Sequence, residues 1–182
     1  MTKIINLFGG PSIGKSSVAG GLFYELKRRH ISVDAPYEFP KVLAWDSNEP
    51  AIRDQLYVIG NQHRGISRSW GKVDYIIVDS PILLSLVYKG YYDGEETYPS
   101  SFYGKEFHDF ILALHKRYDN LNIVLKRNDS RFEDKGRYQN LEQSKELDQL
   151  IKNTLVDNNL PYHEFYTGSD AIKNILKLLD IE

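Results

Sequence analysis

Eight consecutive residues, Gly9-Gly10-Pro11-Ser12-Ile13-Gly14-Lys15-Ser16, fit the spacing G-x-x-x-x-G-K-[ST], and Ser17 follows. Each fixed position has a chemical reason. Glycines let the backbone turn and aim its N–H groups at phosphate oxygens. A helix starting at the lysine points its positive end at the same anion. Lys15 can reach β- and γ-phosphates, and the Ser16 hydroxyl can ligate Mg²⁺. Gly9 to Ser17 therefore form a candidate cradle for ATP. An ordinary strand–turn–helix with a surface lysine would explain the same letters, but a chance match somewhere in this chain is roughly a 1% event.

Three further sets of residues suit phosphoryl transfer. Tyr75-Ile-Ile-Val-Asp79 puts an acid at the end of an apolar run, where it can hold Mg²⁺ together with Ser16. The polar, basic segment from Lys126 to Gln139 carries Arg127, Arg131 and Arg137, with Gly136 as a bending point. Arginines on a closing lid, here about 127–139, can stabilise charge on the transferring group and exclude water. Arg137 is the main candidate, with Arg131 and Arg127 as helpers. Glu38, in Tyr37-Glu38-Phe39-Pro40, can accept a proton from an attacking hydroxyl.

These residues need elements to position them. Short β-branched runs alternate with helical patterns, which predicts an α/β domain with a mainly parallel sheet. The expected strands are Lys3–Phe8, about Ser32–Tyr37, Tyr75–Val78, Asn122–Leu125 and Tyr162–Tyr166. Helices are expected at Lys15–Arg29 and at Ala51–Trp70, the latter burying Ile52, Leu56, Ile59, His63, Ile66 and Trp70. Another is expected at Phe102–Tyr118, with Tyr103, Phe107, Phe110, Ile111 and Leu114 on one face. The next starts near Leu141, with Asn140 and Gln143 spaced as a capping box, and the last starts after Ser169.

On Gly9–Ser16, Glu38, Tyr75–Pro81 and Glu133-Asp134-Lys135-Gly136-Arg137, the chain resembles the small-molecule kinase branch of P-loop proteins. It is similar in particular to AAA-like nucleotide kinases of the kind found in the nicotinamide-riboside kinase domain of the bacterial NAD regulator, with phage-type members. The resemblance implies ATP and Mg²⁺, a five-stranded parallel sheet, and transfer to a nucleoside or nucleotide acceptor. We expect a three-layer P-loop sandwich of strand order 2-3-1-4-5, with Asp79 beside the P-loop. Lys135 interrupts the Asp-Gly-Arg pattern of the family's lid.

Composition bounds the alternatives. The chain has 182 residues, 41% hydrophobic and 26% charged, with 23 Lys+Arg against 25 Asp+Glu. This suits one globular domain and excludes a disordered or collagenous chain. With no Cys there are no disulfides, Cys–zinc sites or thiol nucleophiles. The apolar stretches are too short for a signal peptide or a membrane helix, so a soluble protein of the cytoplasm (the host's, if viral) is expected. No N-K-x-D motif occurs in the chain, so the switch-GTPase reading lacks support. Three acceptors stay open, and a homodimer is compatible with all of them. A nucleoside hydroxyl would use Glu38 as base. A nucleoside monophosphate would need cations, which Arg53, Arg64 and Arg68 can supply. A hydroxyl on DNA or RNA is disfavoured by the net charge of -2. Tyr37, Phe39, Trp45 and Tyr57 can stack on a base. A regulatory ATP-binding module without turnover is the remaining reading.

Overall fold

A computed structural model describes residues 1–92, 104–128 and 139–181. Its elements are β1 (Lys3–Phe8), α1 (Lys15–Arg28), β2 (Val33–Asp34), α2 (Phe39–Trp45), α3 (Glu49–Arg53), α4 (Gln55–Ser69), β3 (Tyr75–Val78), α5 (Leu84–Tyr92), α6 (Gly104–Lys116), β4 (Asp119–Lys126), α7 (Leu141–Asp157), β5 (His163–Tyr166) and α8 (Ser169–Leu178). The described strands form one parallel sheet in the order β2-β3-β1-β4-β5.

Alternation along the strands builds a core on each face. Ile5 and Leu7 of β1, with Ile77 and Ile123, face Val18 and Leu22 of α1 and Ala171 and Ile175 of α8. Ile4 and Phe8, with Ile76, Val78 and Val124, face residues of α4, α5, α6 and α7. Helices on both faces keep β1 and β3 buried, which is why they read as nearly continuous apolar runs. The β1–β3 register, Lys3↔Tyr75 to Asn6↔Val78, brings the carboxyl ends of both strands to one edge. Open parallel sheets bind ligands at that edge. Among the described residues no helix is long and apolar enough to cross a membrane.

The structure corrects several boundaries. β2 is shorter than the expected Ser32–Tyr37. Ala35 N–H turns to its neighbour Asp34 Oδ1 (2.9 Å) and Pro36 has no N–H, so pairing stops. β4 is longer than Asn122–Leu125: Asp119–Leu121 pair with Lys3–Ile5 and Lys126 with Tyr166, and Asn6 Nδ2 donates to both Asn120 Oδ1 (2.9 Å) and Asn122 Oδ1 (3.0 Å). Those amide bonds override the poor strand propensity of Asn.

The expected helix 51–70 is two helices. Asp54 ends α3, and its carboxylate caps α4 by accepting Leu56 N (3.1 Å) and Tyr57 N (3.2 Å). The buried stripe of α4 is Gln55, Val58, Ile59, Gln62, Ile66 and Ser69, and Leu56 is exposed. On α6, Phe110 is exposed rather than packed, while Phe102 and Tyr103 lie outside the described residues. The Asn140–Gln143 capping box forms as expected. Arg131, Arg137 and most of the expected lid lie outside the described residues.

Candidate functional site

The turn between β1 and α1 takes a conformation that only special residues allow easily. Gly14 has φ +99°, and a Cβ there would meet Thr167 Oγ1 at 2.5 Å. Ser12 also has a positive φ of 58°. Lys15 Nζ donates to Gly9 O (2.6 Å) and Gly10 O (3.0 Å), so its charge stays over the loop. Ser16 Oγ donates to Asp79 Oδ2 at 2.9 Å, which joins the two halves of the expected metal-side pair across β1 and β3. These two oxygen donors suit Mg²⁺, which takes one or two protein oxygens and completes its shell from phosphates and water. No larger cluster of acids and histidines exists among the described residues.

Two clefts meet at this turn. One runs over Ser12–Val18 to Asn128 and Thr167–Ser169. The other, narrower, runs from Pro11 to the inner faces of α2, α4 and α5. Lys15, Glu38 and Lys41 line both. The second cleft is mainly apolar but ends on buried polar groups. Gln62, only 7% exposed, donates from Nε2 to Ser80 Oγ (2.7 Å), while its Oε1 has no hydrogen-bond partner among the described residues. Ser85 Oγ, on a residue 2% exposed, has none among them either. Buried polar atoms are rarely left so unless something else supplies the partner.

A family model for an AAA domain matches residues 4–170, spanning the turn, the described strands except Lys3 and the lining of both clefts except Ile172. The chain belongs to this AAA-domain family. No curated protein matches its sequence. Among solved structures, the NadR protein in complex with NR is similar at a TM-score of 0.73 and 13% identity, over 100% of this chain and 52% of that one. The AAA-domain chain thus spans about half the length of NadR. Deoxyadenosine kinase from M. mycoides, with products dCMP and a flexible dCDP bound, gives a TM-score of 0.64 at 14% identity, covering 97% of this chain and 98% of that chain. The same kinase with bound dATP gives 0.62 at 17% identity, covering 97% and 99%. The AAA-domain chain therefore has a P-loop kinase fold of the kind these proteins share.

The other sequence candidates scatter. Glu38 is the residue before α2, at the mouth of both clefts. Tyr37 (74% exposed) lines a third cleft with Ser16, Glu38, Lys41 and Asp79, Trp45 is 60% exposed, and Phe39 packs edge-on against Tyr57 with ring centroids 5.3 Å apart. Arg53 pairs with Glu49 on its own helix. Arg64 and Arg68 lie on the exposed side of α4. None of the three arginines is among the described lining of either cleft. Arg127 is held by Asp148, Ser144 and the Pro11 carbonyl.

Sequence reasoning missed Lys41, Gln62, Ser85 and Asp148. Pro40 two residues after Glu38 is a helix-start signal that would have revealed α2, and with it Lys41. Gln55 and Gln62 sit seven residues apart within the apolar stripe of α4. Polar residues at such inward positions mark a site, and a search for apolar periodicity alone passes over them.

Proposed function

We propose that the chain is an ATP-dependent kinase, acting as one domain, that transfers the γ-phosphoryl group to a hydroxyl of a nucleoside or nucleotide. The observation that carries this reading is that Lys15 and Glu38 line both clefts. The P-loop cation and a carboxylate thereby stand where two substrates would meet. In this reading ATP lies along Ser12–Ser17, with its phosphates on the loop amides and Lys15. Ser16 and Asp79 would hold Mg²⁺, which when bound would neutralise charge on the phosphates.

The acceptor occupies the apolar cleft, its base or sugar against Gln62 and Ser85. Its hydroxyl oxygen attacks the γ-phosphorus while the bond to the leaving ADP oxygen breaks, and Glu38 takes the hydroxyl proton. Arg137 and Arg131 are the arginines we assign to the developing charge.

A monophosphate acceptor would want cations in the second cleft; its described lining supplies Lys15 and Lys41 but not Arg53, Arg64 or Arg68. The Glu38 carboxylate beside them favours a hydroxyl acceptor. Replacing Glu38 tests the choice. General-base help is worth about 10²–10⁴-fold. Glu38→Gln should lower turnover on nucleosides by that factor and leave ATP affinity nearly unchanged. Unchanged turnover on the best nucleoside would remove Glu38 as base and revive the monophosphate reading.

A further inference from the structure

The outer arm of the P-loop is gripped from behind. Asp148 on α7 accepts Gly10 N–H through Oδ1 at 2.6 Å and Arg127 Nε through Oδ2 at 2.6 Å. Arg127 Nη2 donates to Pro11 O at 2.9 Å and bonds the Ser144 hydroxyl. Ser144 Oγ donates to the same Pro11 carbonyl at 2.6 Å. Ser144 is fully buried, and the side chains of Arg127 and Asp148 are only 18% and 23% exposed. The fit leaves no slack: a Cβ at Gly10 would collide with the Ser144 carbonyl oxygen and crowd Asp148 Oδ1.

We propose that Arg127, Asp148 and Ser144 form a positioning clamp for the P-loop, and that Arg127 serves catalysis through Pro11 and Asp148 rather than on the transferring phosphoryl group. The assignment rests on the P-loop being the nucleotide site. Three features carry it. The Arg127 guanidinium is committed through Nε and Nη2, and the Asp148 carboxylate lies against it, so the pair projects little net charge into the cleft. Gly10 turns its N–H backward to Asp148, and Pro11 has no N–H. These two residues therefore contribute no backbone donor to a phosphate in this arrangement; they set where the amides of Ser12–Ser16 point. The bonds that fix them include charge-assisted ones, roughly twice as strong as neutral ones. Shifting a substrate-positioning group by about 1 Å can cost 10²-fold in rate.

Arg127→Met, Asp148→Asn and the double variant separate the two roles. The readouts are affinity for a non-hydrolysable ATP analogue, kcat and KM, and hydrogen exchange of a peptide spanning the P-loop. The clamp predicts that each single variant binds the analogue about 10-fold or more weakly, and that kcat falls by up to about 10²-fold. The double should be no worse than the poorer single, as residues of one network behave. P-loop exchange should quicken in both singles without nucleotide.

Asp148→Asn is nearly isosteric and releases Arg127. A direct role for Arg127 predicts that this variant matches or exceeds wild-type turnover, with P-loop protection unchanged, and that outcome overturns the clamp. Ser144→Ala gives a milder version of the clamp defect should either charge variant fold poorly. If wild-type protein binds no ATP analogue, the reading of the nucleotide cleft fails. The exchange measurement then still decides: faster P-loop exchange in Asp148→Asn supports the clamp, and unchanged exchange refutes it.

Discussion

Gln62→Leu should stabilise the free protein while damaging its use of acceptor. Gln62 lies in the buried stripe of α4, gives one hydrogen bond to Ser80 Oγ, and leaves Oε1 with no partner among the described residues. An unsatisfied buried acceptor costs about 1–3 kcal/mol, while a neutral hydrogen bond contributes about 1 kcal/mol net. Leucine, of similar volume, removes both terms. The balance is about 0–2 kcal/mol in favour of the variant. At about 2–4 °C per kcal/mol for a chain this size, Tm should rise by roughly 0–8 °C. With acceptor bound the sign reverses, because the partner that satisfied Oε1 loses its own bond. A loss of about 1–3 kcal/mol raises acceptor KM by roughly 5- to 150-fold. Thermal melts with and without the best nucleoside, together with steady-state kinetics at saturating ATP, measure both effects. A lowered Tm with unchanged acceptor KM would refute the reasoning and make Gln62 a structural residue.

Two other perturbations test different parts of the molecule. Asp79→Asn keeps a partner for Ser16 Oγ but removes the charge, so Mg²⁺ titrations of activity should shift to at least about 10-fold higher metal. Equal Mg²⁺ dependence in the variant and the wild type would take Asp79 out of the metal site. Burial lowers the His115 pKa from 6.5 to about 4, with Lys116 adding to the effect. The unfolded chain therefore binds a proton between those values that the folded protein refuses. This group's contribution should be constant above about pH 7, fall by up to about 3 kcal/mol from pH 6.5 towards pH 4, and level off below. His63 is lowered in the same direction, mainly by burial, so His115→Gln should flatten most of this limb in denaturant titrations at stepped pH.

The parts of this molecule that were legible in its sequence are those set by local chemistry. Gly9–Ser16 could be read because phosphate cradles demand particular residue types at fixed spacing. The order of the strands followed from alternating strands and helices together with the resemblance to P-loop kinases. Asp79 sits beside Ser16 because β1 and β3 are neighbours in register. What could not be read depended on contacts distant in sequence. Which face of α4 turns inward was set by the core it packs against, and that face carries Gln62, while His63 is half-buried. The extension of β4 depended on Asn6, which is 114 residues away from Asn120. Arg127 read as a member of a basic segment, and only the packing of α7 against the P-loop revealed its partner, Asp148.

The central claim is phosphoryl transfer to an acceptor hydroxyl in the cleft beyond Glu38. Incubating the purified chain with γ-labelled ATP, Mg²⁺ and separate panels of nucleosides, mononucleotides and oligonucleotides tests it most directly. The account predicts label on a nucleoside or nucleotide hydroxyl, lost in Lys15→Ala at unchanged fold. Label released only as inorganic phosphate, or found on oligonucleotides alone with activity falling steeply in salt, would contradict it.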